Sequence, residues 1–352
     1  MVNTIKTKVR DRSESKRAWD IDIKNLKFNK KKTLKAAKLV WSLVRFFLIF
    51  ILGFVIVYPL LQTLSRTFMP VEQYADPSVI WIPKSLTLNN IKAAMLALDF
   101  WPTFGRTVVL CIGCAVLQVI SCAITGYGFA RFQFKLRGPL FAMVIVTIVV
   151  PTQLVFIPLM VQYRFFDFFG ISRLAALFTG KPYTDYTVNL INNKMTFFLP
   201  SALGVGIRSG LFIYIYRQFF RNVPKELEEA AKIDGCGPWK TFVRVMLPNA
   251  KSSALTVFLF SIIWHWNETM MSNSFFSTGS KTLAVAVQNA SDENTVAGIV
   301  ATGLYEAAGR NLQARQGTAY AAMLLFILPP LILYIFTQKY FVEGVESSGI
   351  KG

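Results

Sequence analysis

Apolar residues gather into six blocks, at 41–64, 107–130, 138–160, 196–220, 253–275 and 319–341. Each has about the 20 residues that a helix needs to cross roughly 30 Å of hydrocarbon. The stretches between them turn polar, and no internal repeat or low-complexity tract interrupts the series. The pattern predicts an all-α polytopic membrane protein: a six-helix transmembrane domain over 41–341, an N-terminal arm at 1–40 and a short C-terminal tail at 342–352. Two outer segments carry structure of their own. Residues 85–99 have helix-forming composition, and 161–179 mix aromatics with Arg164, Asp167 and Arg173; both are expected to lie along the outer interface as short amphipathic helices.

Composition agrees with this picture. Of 352 residues, 53% are hydrophobic and 16% charged, where a soluble domain carries roughly 25% charged. The formal charge of +19 would suggest nucleic acid in a soluble protein. Here it follows from topology, since basic residues collect on the cytoplasmic side of membrane proteins, and no nucleic-acid partner is expected. Residues 1–40 hold 13 Lys/Arg and read as a solvated basic arm near the anionic inner leaflet, too long in its basic region for a cleavable signal peptide. Placing both termini in the cytoplasm assigns 25 Lys/Arg to inner segments and helix ends and 11 to the three outer loops. Three of the four cysteines, Cys111, Cys114 and Cys122, share one apolar segment, which argues against disulfides or a metal site.

The cytoplasmic loop 221–249 reads as helix, turn, helix. Pro224 suits a first helical position, Gly235 a C-terminal cap and Pro238 the start of a second helix, while Pro248 limits its continuation. Glu226, Glu228 and Glu229 enrich the start of the first helix, as its dipole prefers. Ala230 and Ala231 leave one face without bulky side chains, so another protein's surface can approach closely. The same features suit a surface hairpin packed on its own bundle.

The spacing resembles the signature loop of binding-protein-dependent ABC import permeases: Glu229-Ala230-Ala231, three residues including Asp234, Gly235, nine residues, an aliphatic at Val245, one residue, Leu247-Pro248. Val245 stands where that family usually has Ile. The resemblance narrows to carbohydrate-uptake permeases through Tyr127-Gly-Phe-Ala-Arg131, Arg217-Gln-Phe-Phe220, Trp266-Asn267-Glu268 and the ending from Gln338 to Gly352, and is similar to the second membrane subunit of the maltose importer. It implies a translocation subunit of the bacterial cytoplasmic membrane that binds no cofactor itself. Its partners would be a second homologous permease, two copies of a cytoplasmic ATPase that use ATP and Mg, and an extracytoplasmic solute-binding protein. Glu229 would offer the ATPase a charge contact. The chain has no Gly-x4-Gly-Lys-Ser/Thr loop of its own; the fragment Gly279-Ser-Lys-Thr282 has the wrong spacing.

Polar residues within the spans are the remaining candidates. Arg208 falls near the middle of the fourth block, beside Ser209, where an arginine facing lipid costs roughly 2.5–3.5 kcal/mol. It is either a structural strut or part of the solute pathway. His265, Trp266, Asn267 and Glu268 suit an oligosaccharide pathway, in which rings stack on sugar faces and amides and carboxylates bind hydroxyls; an interfacial aromatic belt explains the tryptophans equally. A membrane-embedded enzyme using Glu268, His265 and Arg208 is the competing class, and import of a phosphorylated polyol or a peptide is the alternative within transport.

Overall fold

The computed structural model describes residues 38–168, 170–276, 281–305 and 311–349, with the helical backbone alone at 311 and 340–349. Residues 1–37 and the end of the chain, and with them most of the expected arm and part of the tail, lie outside the described residues. Two compact units divide the chain at residue 62. The first holds most of helix α1 (Lys38–Phe68), which is apolar on every face and exposed from Lys38 to Val57, as suits a helix surrounded by lipid or by another helix.

The second unit is built around α3 (Phe100–Arg131), about 48 Å long. Its packed side is made mostly of small residues, Thr, Cys, Ala and Gly. At Gly126 an added methyl would lie 2.6 Å from the Tyr216 Cβ and 3.1 Å from the backbone at Ile213 and Arg217, and at Gly113 it would lie 2.7 Å from the Phe198 ring, so glycine lets the α8 backbone in close at the one and an aromatic ring at the other. Around α3 run α2 (Asn89–Ala97), α4 (Arg137–Val149), α5 (Thr152–Arg164), α6 (Ile171–Thr179), α7 (Met195–Ala202) and α8 (Ser209–Asn222). Next come α9 (Glu226–Ile233), α10 (Pro238–Asn249) and α11 (Lys251–Trp266), then α12 (Met270–Phe275), α13 (Leu283–Asn289), α14 (Glu293–Ala301) and α15 (Asn311–Gly349). No strand occurs among the described residues, which hold only a single bridge, Phe166 to Val188.

The apolar blocks at 41–64, 107–130 and 319–341 lie inside α1, α3 and α15, helices long and apolar enough to cross a membrane. The other three blocks are not continuous helices. The third, 138–160, is bent by 102° between α4 and α5, where Val150 turns extended before Pro151, as a residue before proline tends to. The fourth, 196–220, is broken between α7 and α8, with Gly204 and Arg208 both at positive φ. The fifth, 253–275, ends its long helix at Trp266. Segment 85–99 does form a helix, α2, but one that buries Asn90, Ala93 and Ala94 against its neighbours instead of lying free on the interface. Asn90 donates to the Thr67 and Met69 carbonyls at 3.0 and 2.7 Å.

Candidate functional site

The loop forms the expected hairpin with two corrections. Its first helix begins at Glu226 with Lys225 as the N-cap, two residues after Pro224. Its second helix passes through Pro248, because a π-turn at Phe242–Met246 takes up the proline's missing donor and ring. Gly235 caps α9 at φ +76°. The Cys236 N–H donates to the Ala231 carbonyl and the Gly235 N–H to the Lys232 carbonyl, the paired bonds that close a helix when its last residue turns left-handed.

Burial divides the signature residues into two groups. Glu229, Ala230, Asp234, Gly235 and Pro248 are exposed, and so are the apolar side chains of Leu227, Ile233 and Trp239. Ala231 is buried, while Val245 and Leu247 pack against the core of Tyr127, Phe220, Phe242 and Met246, so they anchor the hairpin. A further anchor was not legible as a pair in the sequence. Arg131, the last residue of α3, forms an ion pair with Glu228 at 3.0 Å, the side chains 8% and 13% exposed, and donates to the Val223 carbonyl at 2.5 Å. Removing one partner of a pair so buried costs about 3–5 kcal/mol.

The second group of candidates lies deeper. Counting from the loop side, Gln118, Arg208, Trp264 and the Val150–Pro151 break each lie 13 or 14 residues from the ends of α3, α8, α11 and α4, or about 20 Å. Two helix breaks therefore share one level with a set of polar side chains. Broken backbone at membrane depth survives only inside protein or beside water. Gln118, fully buried, joins the elements at this level. Its Nε2 donates to the Ile207 carbonyl at 2.8 Å and to Ser209 Oγ at 2.9 Å, and its Oε1 accepts from Ser261 at 2.6 Å.

Arg208 is not mid-helix. It is the N-cap of α8 at φ 58°, it is exposed, and its guanidinium lies 5.6 Å from the Trp264 ring centre, within cation–π reach. Ser209 is buried on Gln118. His265 is buried too; its Nδ1 lies 2.8 Å from the Ser261 carbonyl, which can only accept, so Nδ1 carries the proton. Trp266 is core: its Nε1 donates to the Phe326 carbonyl at 3.2 Å and its ring stacks on Phe326. Exposed Asn267 donates to the Ile263 carbonyl at 2.8 Å, and Glu268 accepts from the Met271 N–H at 2.7 Å. The structure thus gathers Arg208, Ser209 and His265 around Trp264, one of the tryptophans weighed in the sequence, and around Gln118, which did not stand out among apolar neighbours, and leaves Trp266, Asn267 and Glu268 bonded to backbone. His265 and Glu268 each face a separate backbone partner, which is not the arrangement of an acid–base pair.

A helical fold with several apolar helices, broken helices level with buried polar side chains, and an exposed hairpin suits a polytopic membrane protein. Residues 120–347 match the family described as binding-protein-dependent transport system inner membrane component, and the chain belongs to that family, whose members translocate solute without an ATPase site of their own. It is 27% identical over 304 residues, 86% of this chain and 93% of the relative, to the arabinooligosaccharides transport system permease protein of Halalkalibacterium halodurans. It is 28% identical over 280 residues, 79% and 86% of the two chains, to the melibiose/raffinose/stachyose import permease protein of Bacillus subtilis. A crystal structure of a bacterial ABC transporter involved in the import of the acidic polysaccharide alginate shares the fold, with a TM-score of 0.64 and 17% identity over 86% of this chain and 96% of that one.

Proposed function

We propose that this chain is one of two permeases of an ATP-driven importer for an oligosaccharide, in the bacterial cytoplasmic membrane, with six crossings and both termini inside. The observation that carries the reading is the exposed hairpin with the complete signature spacing from Glu229 to Pro248, in a chain whose similar proteins include permeases named for arabinooligosaccharides and raffinose. In this reading α9 and α10 seat in a cytoplasmic ATPase, with Glu229, Ala230, Asp234 and Gly235 at the contact. Two such ATPases bind ATP and Mg, and an extracytoplasmic binding protein delivers the solute. The pathway runs past Arg208 and Trp264, a cation and a ring that suit a sugar bearing hydroxyls or a carboxylate.

Affinity purification of the chain is expected to bring down a second permease and an ATPase, and vesicles holding that complex and its binding protein are expected to take up labelled oligosaccharide only with ATP. Recovery of the chain alone, or uptake of a peptide and no sugar, would sink the reading. Orientation has its own test. With Cys236 replaced by alanine, single cysteines at Asp185 and Asp292 are expected to react with an impermeant thiol reagent from outside, and those at Phe134 and Glu226 from inside only. The reverse pattern overturns the assignment from basic residues.

A further inference from the structure

At the loop-side end of the seam between α4 and α8, Arg137 and Arg221 act on Arg217, and no carboxylate of the described residues is among the charges that do. The Arg217 guanidinium carbon lies 3.8 Å from the centre of the Phe141 ring, and its buried Nε has no hydrogen-bond partner among the described residues. The other guanidiniums acting on it are those of Arg221, one turn further along α8, and Arg137, the first residue of α4. Arg137 is held in place by donating its Nε to the Phe129 carbonyl at 2.9 Å and its Nη2 to the Ala130 carbonyl at 3.1 Å. Glu228, the nearby acid of the hairpin, is taken by Arg131. The floor is aromatic: Phe141 stacks on Tyr214 at 6.4 Å and meets Phe129 at 5.5 Å. Like charges on an apolar floor repel one another and lose hydration; the Phe141 ring and the Phe129 and Ala130 carbonyls offset part of that cost, and an anion between the guanidiniums would offset the mutual repulsion, which neither relieves.

Depth and surroundings identify the anion. Arg217 is five residues from the end of α8, about 8 Å, at the boundary between headgroups and acyl chains. From the cluster a stripe of exposed apolar side chains, Leu140, Met143 and Val146, winds along α4 toward mid-membrane, turning away from the α8 seam as it goes. We propose that Arg137, Arg217 and Arg221 bind the phosphate of an anionic phospholipid of the cytoplasmic leaflet, with its acyl chains along that stripe. The leaflet rests on the orientation proposed above; the site does not.

Native mass spectrometry of the purified importer, equilibrated with phosphatidylcholine and phosphatidylglycerol, tests this. The wild type is expected to retain phosphatidylglycerol over phosphatidylcholine. Arg217→Gln with Arg221→Gln is expected to lower that retention about 25-fold, from the contribution of each basic residue near a lipid surface. Arg164→Gln with Arg173→Gln, which removes the same charge from the outer segments, is expected to leave it unchanged, and the double lysine variant at 217 and 221 to restore most of it. Equal retention by the two glutamine pairs overturns the site. So does displacement of the lipid by inorganic phosphate, which would mark a free-anion site, or loss of the second permease from the Arg217/Arg221 variant, which would mark a protein contact. If thiol labelling places the hairpin outside while retention behaves as expected, the orientation falls and the lipid site stands.

Discussion

Replacing Gly235 with valine is expected to lower uptake by the assembled importer about tenfold or more, with insertion of the helices unaffected. The glycine sits at φ +76°, where a side chain costs roughly 1–2 kcal/mol, and 1.4 kcal/mol is already a factor of ten in an equilibrium. Apart from its two chain neighbours, no atom of the described residues lies within 4 Å of the position a Cβ would take, so steric loss beyond that figure points to the partner's surface. Gly235→Asn separates the two causes, since asparagine tolerates the left-handed turn yet still projects a side chain. Loss in valine alone points to turn geometry; equal loss in both points to a closely fitted ATPase. Uptake and ATPase activity of purified complexes read the difference, and full uptake by the valine variant removes the hairpin from the coupling path. Glu229→Lys, which reverses an exposed charge at the same surface, is expected to fail in the same assay.

At Arg208 the expected result is a split between yield and transport. Charge-assisted hydrogen bonds contribute about 1.5–3 kcal/mol, so Arg208→Gln is expected to lower uptake of a uronate oligomer about 10- to 100-fold and that of a neutral oligomer less. Arg208→Gly makes the sharper variant. It relieves roughly 1–2 kcal/mol of left-handed backbone strain, so the complex is expected to melt higher while uptake stays low. A strut would behave oppositely: without its guanidinium on Trp264 the complex would fall in yield, and transport per complex would hold. Thermal unfolding and uptake per complex, measured together on both variants, decide.

The features legible in the sequence are those whose signal is local. An apolar run declares itself within one window, and the hairpin signature spans only 20 positions, so the blocks that lie inside α1, α3 and α15 and the hairpin of the loop were both legible. The breaks escaped because Pro151 and Gly204 sit among residues apolar enough to keep the blocks whole, and an average over composition carries no dihedral angle. Gln118 escaped for a different reason: its partners Ile207, Ser209 and Ser261 lie 89, 91 and 143 residues away. Trp264 and Trp266, two positions apart on one helix, point to nearly opposite faces, and nothing in the sequence marks which face is inward. The structure turns Trp266 into the core and leaves Trp264 to Arg208.

The π-turn before Pro248 has a mechanical consequence. Because it lets α10 run on to Asn249, the hairpin joins α11 through Ala250, a fully buried hinge point, at an angle of 77°, with no slack linker between. The two helices make a bent crank with arms of about 18 and 24 Å. A tether would transmit tension only, but a crank transmits compression as well. Docked as proposed, the hairpin would drive α11 in one direction when the ATPases close and drag it back when they part. The return stroke would then need no spring of its own in the membrane.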